Sequence, residues 1–343
     1  MQMEKKNTQM LKGVAVCMLL FHHLFLNAQP TAGITINSVY LANIIAPYLK
    51  VCVAIFLILS GYGMNASMNK NQYSLAKFYK KNIWKIYRNY WLIWILFVPV
   101  GLLRGRTFQS IYGIDWVKKL VTDILGLQKL VVGYQSYNPT WWFITLILGL
   151  YLVFPLLYKL VKKIPLILSA LALAAMFLPN IKFFGHIHII FTYKYWLLPF
   201  IFGMILSEYK ILEKISKALS DKSVLKFILY FGLLVLTVYI RKNGLYLSNL
   251  KIDTLFAFSV ILLSLEYIVK CRWLDKALQV LGKHSFNIFL FHTFIYSMYL
   301  NEFVYSFKYP ILIWFVLLFI SLDISIWLEK LKGALAKKKI LFS

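Results

Sequence analysis

Long apolar runs, each close to the roughly 20 residues that a membrane-crossing helix needs, alternate with short basic segments along this chain. Ten runs fit that description, over 10–26, 44–64, 84–103, 140–159, 164–180, 190–207, 224–240, 252–269, 286–302 and 309–328. A helix satisfies its backbone N–H and C=O groups internally, so such a run reads as a transmembrane helix. Alternating strand-length segments are not visible, which argues against a transmembrane barrel. The pattern predicts an all-α polytopic membrane protein of about ten transmembrane helices, organised as one domain over residues 1–343 with no separate soluble domain. Pro179 and Asn180 close the fifth run, and Pro199 interrupts the sixth.

The segments between runs orient the chain. With an even number of spans and both termini cytoplasmic, the inner segments and the inner mouth of the first span hold 26 Lys and Arg, against 12 in the outer segments. Cytoplasmic loops carry that excess. The first run follows Lys5 and Lys6 as a signal peptide would, but it contains two histidines and lacks a small-residue cleavage site, so it is read as a retained helix. In the outer segment from Arg104 to Thr140, Trp116, Val117, Leu120, Val121, Ile124 and Leu125 recur at helical spacing, predicting an interfacial or re-entrant helix. The inner segment 65–90 carries Lys70, Lys77, Lys80, Lys81, Lys85 and Arg88 among aromatics. That is either a stop-transfer belt or a surface for a phosphate-bearing cytoplasmic ligand.

Composition sharpens this picture. Of 343 residues 61% are hydrophobic and 15% charged, and the mean hydropathy is +0.70. A soluble domain carries about 25% charged residues. The net charge of +26 is spread over many loops, which excludes a nucleic-acid-binding domain and fits topology control with attraction to anionic headgroups. Cys17, Cys52 and Cys271 show no metal or disulfide spacing. No Gly-rich phosphate loop of a nucleotide-binding fold is present.

Ionisable side chains inside a bilayer are expensive and mark function by default. His22 and His23 lie deep in the first run. Neighbours on a helix point about 100° apart, so the two meet different partners. Lys12 precedes His23 by eleven residues, almost three turns, which puts both on one face roughly 16 Å apart along the axis at 1.5 Å per residue. A cation at the inner mouth above a buried base suits a long anionic donor entering from the cytoplasm. His292 either lines the same cavity or satisfies a helix contact. Ser60 and Tyr62 shape the outer mouth or serve packing and anchoring. Trp141 and Trp142 line the cavity or belong to the aromatic belt. Glu266 and Asp323 lie near inner helix ends, where they orient a histidine or sit solvated. His186 and His188 make a poor metal signal, and no metal is expected.

Five segments taken in order carry a resemblance. Leu11-Lys12-Gly13 leading to Phe21-His22-His23, Phe56 through Tyr62, Phe78 through Trp91, Trp141-Trp142-Phe143 with Tyr151-Leu152 and Pro155, and Leu281-Gly282 with Ser285, Phe289-Leu290 and His292 together span residues 11–292. This order resembles the membrane acyltransferase 3 family, with Lys12 and Lys85 at positions where arginine is usual and Arg88 where proline is usual. The resemblance implies transfer of an acyl group, acetyl foremost, from cytoplasmic acyl-coenzyme A to a hydroxyl of a cell-envelope polysaccharide or lipid-linked sugar. It implies a multi-pass protein of a bacterial plasma membrane, with acyl-coenzyme A as donor substrate and no permanently bound cofactor. His23, with His22 beside it, would be the catalytic base or a transient acyl carrier, and Lys12, Lys81, Lys85 and Arg88 would bind the donor. No further domain is expected after Lys339, so the chain would act directly or with a separate extracytoplasmic partner. The competing expectation is a transporter or exporter of a polysaccharide or lipid-linked glycan. Paired broken helices in repeated halves would mark it, and Pro99, Pro155 and Pro199 keep it open.

Overall fold

The computed structural model describes residues 3–27, 34–36, 39–128, 136–178, 193–243 and 251–337. Eleven helices organise them: α1 Lys5–Phe25, α2 Cys52–Asn71, α3 Leu75–Leu103, α4 Trp116–Ile124, α5 Trp142–Lys163, α6 Pro165–Ala175, α7 Leu197–Glu208, α8 Ser223–Asn243, α9 Asp253–Tyr267, α10 Arg272–Thr293 and α11 Pro310–Lys337. Shorter helical turns and one two-residue antiparallel pairing, Thr35 with Tyr40 and Ile36 with Val39, complete the described chain.

Six described helices are long and apolar enough to cross a membrane: α1, the stretch Leu41–Asn71 that ends in α2, α3, the stretch Pro139–Lys163 that contains α5, α8 and α11. Runs five, six and eight form shorter helices, α6, α7 and α9. The ninth expected span, placed over 286–302, begins earlier. Residues 272–285, expected as a cytoplasmic loop, are the first half of α10. Arg272 and Lys276 at its start are exposed, and the polar residues nearer its middle face inward: Lys283 lines a cavity, and His284 Nδ1 bonds Ser325 Oγ of α11 at 2.9 Å. Pro99 and Pro155 sit inside continuous helices, and Pro199 lies in the first turn of α7, where its missing N–H is not needed.

Helix ends find partners for their free carbonyls. At the end of α1, Tyr305 donates to the Leu24 carbonyl at 2.8 Å and Asn43 to the Phe25 carbonyl at 2.7 Å. The last turn of α3 closes with Gly105 in the left-handed region, φ +80°: its N–H bonds Leu102 O at 3.0 Å and the Arg106 N–H bonds Gly101 O at 3.0 Å. Beyond it the chain turns back. Tyr87, Tyr90 and Trp91 of α3 donate to the carbonyls of Leu125, Asp123 and Ile124 at 2.9, 2.5 and 2.9 Å. Tyr87 lies sixteen residues before the end of α3, or roughly 24 Å of helix. The segment expected as an interfacial or re-entrant helix is helical over Trp116–Ile124, and its C-terminal end is held against α3. The Asp123 carboxylate, fully buried, anchors it by accepting from the Tyr112 hydroxyl, Ser136 Oγ at 2.8 Å and the Tyr137 N–H at 2.7 Å.

Two glycine contacts fix helix neighbours. A Cβ on Gly13 would overlap the Leu278 carbonyl, and one on Gly282 would overlap the Gln9 carbonyl. The α1 and α10 backbones thus touch, and since His23 lies beside His292 further along, they run in the same direction. The α2–α7 pair repeats the device: a Cβ on Gly61 would strike the Phe200 carbonyl and one on Gly203 the Ile58 carbonyl. Contacts between Ser60 and Tyr151 at 3.0 Å and between Asn69 and Tyr158 at 2.6 Å align α2 with α5. First and ninth runs pointing one way, and second, fourth and sixth sharing a direction, is the relation an alternating order of spans requires. Lipid provides no hydrophobic drive for helix association, so close packing at small residues supplies it.

Gly282→Ala should destabilise the protein by about 1–3 kcal/mol through overpacking, read as a lower melting temperature in detergent. Gly232, which has open space around its Cβ position, is the control: Gly232→Ala should leave melting unchanged or raise it, since alanine favours a helix by up to about 1 kcal/mol. Equal effects at both positions would contradict the close contact.

Candidate functional site

A cavity of about 660 Å³ opens between α1, α2, α3, α5 and α10. On α1 it is lined by Lys5, Thr8, Gln9 and Lys12, the i, i+3, i+4, i+7 stripe of one helix face. Lys85 and Arg88, one turn apart on α3, and Lys283 on α10 face it from other sides. Among the described residues five cations thus meet a single carboxylate, Glu329, which is already held by Lys332 at 2.7 Å and Asn287 at 2.7 Å. The positive excess suits a polyanion.

The structure brings together four of the expected residues here: Lys12, Lys85, Arg88 and Ser60. Ser60 was expected at an outer mouth; it lies instead on the cavity wall that also carries Lys12 and bonds the Tyr151 hydroxyl at 3.0 Å. Lys81 does not line the cavity. It is exposed at the rim and donates to Tyr73 Oη at 2.7 Å, which pulls that phenol below its usual range. Tyr73 does line it. Tyr62 is half-buried and off the cavity wall. Trp141, expected on that wall or in an interfacial belt, is fully buried in the core because its indole N–H finds the Leu290 carbonyl at 2.9 Å and its ring meets Tyr90 edge-on. Trp142 is half-buried against Trp196, also off the wall. Glu266 pairs with Lys270 at 2.8 Å and Lys226 at 3.6 Å and so is occupied.

The histidines form a separate layer. The cavity wall ends at Phe56, Phe143 and Phe289, and the Phe143 and Phe289 rings meet edge-on at 5.1 Å. His292 stands three residues beyond Phe289 on α10, about 4.5 Å further along the helix. The His23 ring lies 5.0 Å from both the His22 ring and the His292 ring. The outer two are locked. His22 Nδ1 bonds the Ala46 carbonyl at 2.7 Å, and His292 Nδ1 bonds the carbonyls of Ile288 and Phe289, each at 3.0 Å. A carbonyl only accepts, so in both rings Nδ1 carries the proton and a neutral ring leaves Nε2 bare. His23 is different. Among the described residues no hydrogen bond engages its ring, and it keeps accessible surface while His22 and His292 are buried. It is the one histidine of the three with both nitrogens uncommitted within the described structure.

Sequence reasoning missed the supports of this layer. A polar thread runs from His292 Nε2 to Thr293 Oγ1 at 3.5 Å, on to Thr140 Oγ1 at 3.5 Å and to Asn138 Oδ1 at 2.7 Å, all buried. Ala46, which holds His22, sits in a bent segment fixed by Arg241. That guanidinium donates to the carbonyls of Pro47 and Tyr48, both at 3.1 Å, and pairs with buried Asp253 at 2.8 Å. Arg241 and Asp253 lie 12 positions apart at opposite edges of two apolar runs, where each reads as an ordinary helix-end charge. No local signal shows that they meet.

Among the described residues no group of three or more His, Cys, Asp or Glu side chains could hold a metal ion. His186 and His188 lie outside the described residues. Arg241→Met should cost about 3–5 kcal/mol by leaving Asp253 buried without its cation, and Arg241→Lys should recover part of it without the fork that reaches two carbonyls. Thermal unfolding of the purified variants checks this; wild-type melting in Arg241→Met would refute the pinning role.

Compared with known families, the chain matches the model described as an acyltransferase domain over residues 8–330. No curated protein and no solved structure matches it.

Proposed function

We propose that this chain, which belongs to the acyltransferase 3 family, is a multi-pass membrane enzyme that moves an acyl group from acyl-coenzyme A to a hydroxyl of a cell-surface polysaccharide or lipid-linked sugar. The observation that carries the reading is the stacking of two unlike sites on one helix pair. Lys12 and its basic cavity lie at one level of α1 and α10, and the uncommitted His23 lies about three turns further along the same helix face.

Each part has a chemical task. Lys12, Lys85 and Arg88 bind the donor's phosphates by charge-assisted hydrogen bonds. The pantetheine arm reaches past Phe143 and Phe289 and brings the thioester to the histidine layer. His23 takes the proton of the acceptor hydroxyl as its oxygen attacks the thioester carbon. The carbon–sulfur bond then breaks, and the coenzyme A thiolate leaves with that proton. His22 and His292 hold His23 between rings whose own protons are fixed on Nδ1. Enclosure by aromatic side chains keeps water from the thioester. Acetyl is the acyl group proposed first, with both chain termini and the donor on the cytoplasmic side of the plasma membrane of a bacterial cell.

Transfer by the purified protein in lipid, supplied with labelled acetyl-coenzyme A and candidate glycans, tests the reading. His23→Ala should lower transfer by about 10²–10⁴-fold, the contribution of a positioned base, with expression and melting intact. Full activity in that variant would sink the mechanism. Lys12→Ala should weaken donor use by about tenfold or more, the loss of one charge-assisted contact, with little change at saturating donor. An unchanged donor dependence would remove Lys12 from the donor site.

A further inference from the structure

On the far side of the histidine layer from Lys12 lies a second, smaller cavity of about 370 Å³, bounded by Gly101, Arg104, Gly105, Arg106, Met298 and Tyr299. Its two arginines flank the glycine that ends α3. The left-handed turn at Gly105 reverses the chain there, so side chains two positions apart face one hollow. Each guanidinium is aimed by a single backbone contact. Arg104 Nη1 donates to the Tyr299 carbonyl at 2.7 Å and Arg106 Nη2 to the Tyr137 carbonyl at 2.9 Å. Each also packs on the ring of the same tyrosine, with centroids at 5.4 and 5.1 Å. No ion pair engages either among the described residues, and the buried Arg106 Nε has no partner. Arginine has five N–H donors, so among the described residues most of this donor set is uncommitted. Two arginines in an outer segment also run against the usual distribution of positive charge.

The hollow is joined to the histidine layer. The Tyr296 ring stacks on His292 at 6.1 Å, and Ser297, Met298 and Tyr299, the next residues on the same helical segment, line the cavity. That segment, Phe294–Tyr299, is a π-helix, a rare geometry found mostly at functional sites. The Tyr299 hydroxyl bonds the Phe97 carbonyl and ties the segment to α3.

We infer that Arg104 and Arg106 form an outer anion site that seats a phosphate group of the acyl acceptor, so that the acceptor is a phosphate-linked lipid sugar rather than a neutral glycan. This rests on the acyl-transfer reading and adds the acceptor's chemical class to it. Two guanidiniums that each spend one N–H on a backbone carbonyl among the described residues match, with their remaining donors, the charge and the bidentate oxygen geometry of a diphosphate. Their position one to two turns beyond His292 lets an acceptor be held at its phosphate end while its sugar hydroxyl reaches the histidines. Met298 gives the hollow an apolar wall beside the lipid chain of such a molecule.

The test is equilibrium binding of a fluorescent short-chain prenyl diphosphate to the full chain in phosphatidylcholine nanodiscs, against the same prenol without the diphosphate. The diphosphate should bind at least tenfold more tightly. The double variant Arg104→Gln, Arg106→Gln should abolish that preference while acetyl-coenzyme A binding stays at the wild-type level, which also shows that the variant is folded. Lys12→Ala should do the reverse. Equal binding of diphosphate and prenol, or a preference that survives the double variant, overturns the site. Displacement of the probe by phosphatidylglycerol built into the nanodisc overturns the acceptor assignment, because the arginines would then be holding bulk lipid headgroups. Binding is read without turnover, so the two readings fail separately: a chain that binds the diphosphate through these arginines but transfers no acyl group sinks the transfer reading alone, and a chain that transfers acyl groups without the preference sinks this one.

Discussion

The contact of α1 with α10 at Gly13 and Gly282 is the constraint from which the rest of the site follows. Neither position has room for a Cβ, because each would strike a backbone carbonyl of the other helix. Once two parallel helices touch at that point, their rotation about each other is set. The stripe carrying Lys5, Gln9 and Lys12 must then face the cavity, and about three turns later His23 must meet His292. A larger residue at either glycine would part the helices where the histidines need them close. In a bilayer this precision rests on packing, since the surrounding lipid is as apolar as the helices themselves.

Around that pair the polar groups inside the bundle are arranged in tiers. A basic cavity lies at one end, the three histidines in the middle and two arginines at the other end. The middle tier is held from both sides. His22 depends on the Ala46 carbonyl, whose segment Arg241 and Asp253 pin from α8 and α9. His292 depends on its own helix and on Thr293, Thr140 and Asn138. These supports commit the outer rings and leave the central one uncommitted, the arrangement that an acid–base group needs and that a purely structural histidine would not keep. The segment that follows α3 contributes the Asn138–Trp141 side of this frame, and Asp123 in turn holds that segment to α3.

Much of this was legible in the sequence. Apolar runs located the long helices, and helical phase separated His23 from His22 and placed Lys12 on the His23 face. The periodic residues from Trp116 to Leu125 announced a helix in the outer segment. What stayed hidden depends on contacts between distant parts of the chain. The charged first half of α10 looked like a loop because periodicity does not show that Lys283 meets a cavity and His284 meets α11. Trp141 looked like a cavity-lining or interfacial residue because nothing local shows the Leu290 carbonyl that receives its N–H. Gly13 and Gly282 stood out as parts of motifs, but only the fold shows that they pack against each other. Arg104 and Arg106 counted merely as loop charges until the turn at Gly105 brought them to one hollow.

The central claim is that the basic cavity and His23 are two ends of one donor site. A cryo-EM structure of the protein in nanodiscs with a thioether analogue of acetyl-coenzyme A tests it most directly. Phosphate density is expected beside Lys12, Lys85 and Arg88, with the acyl carbonyl carbon about 5–6 Å from the His23 ring, which leaves room for an acceptor hydroxyl within hydrogen-bond reach of the base and about 3–3.5 Å from the carbon it attacks. Nucleotide density on any other surface, or an acyl end pointing away from the histidine layer, would contradict it.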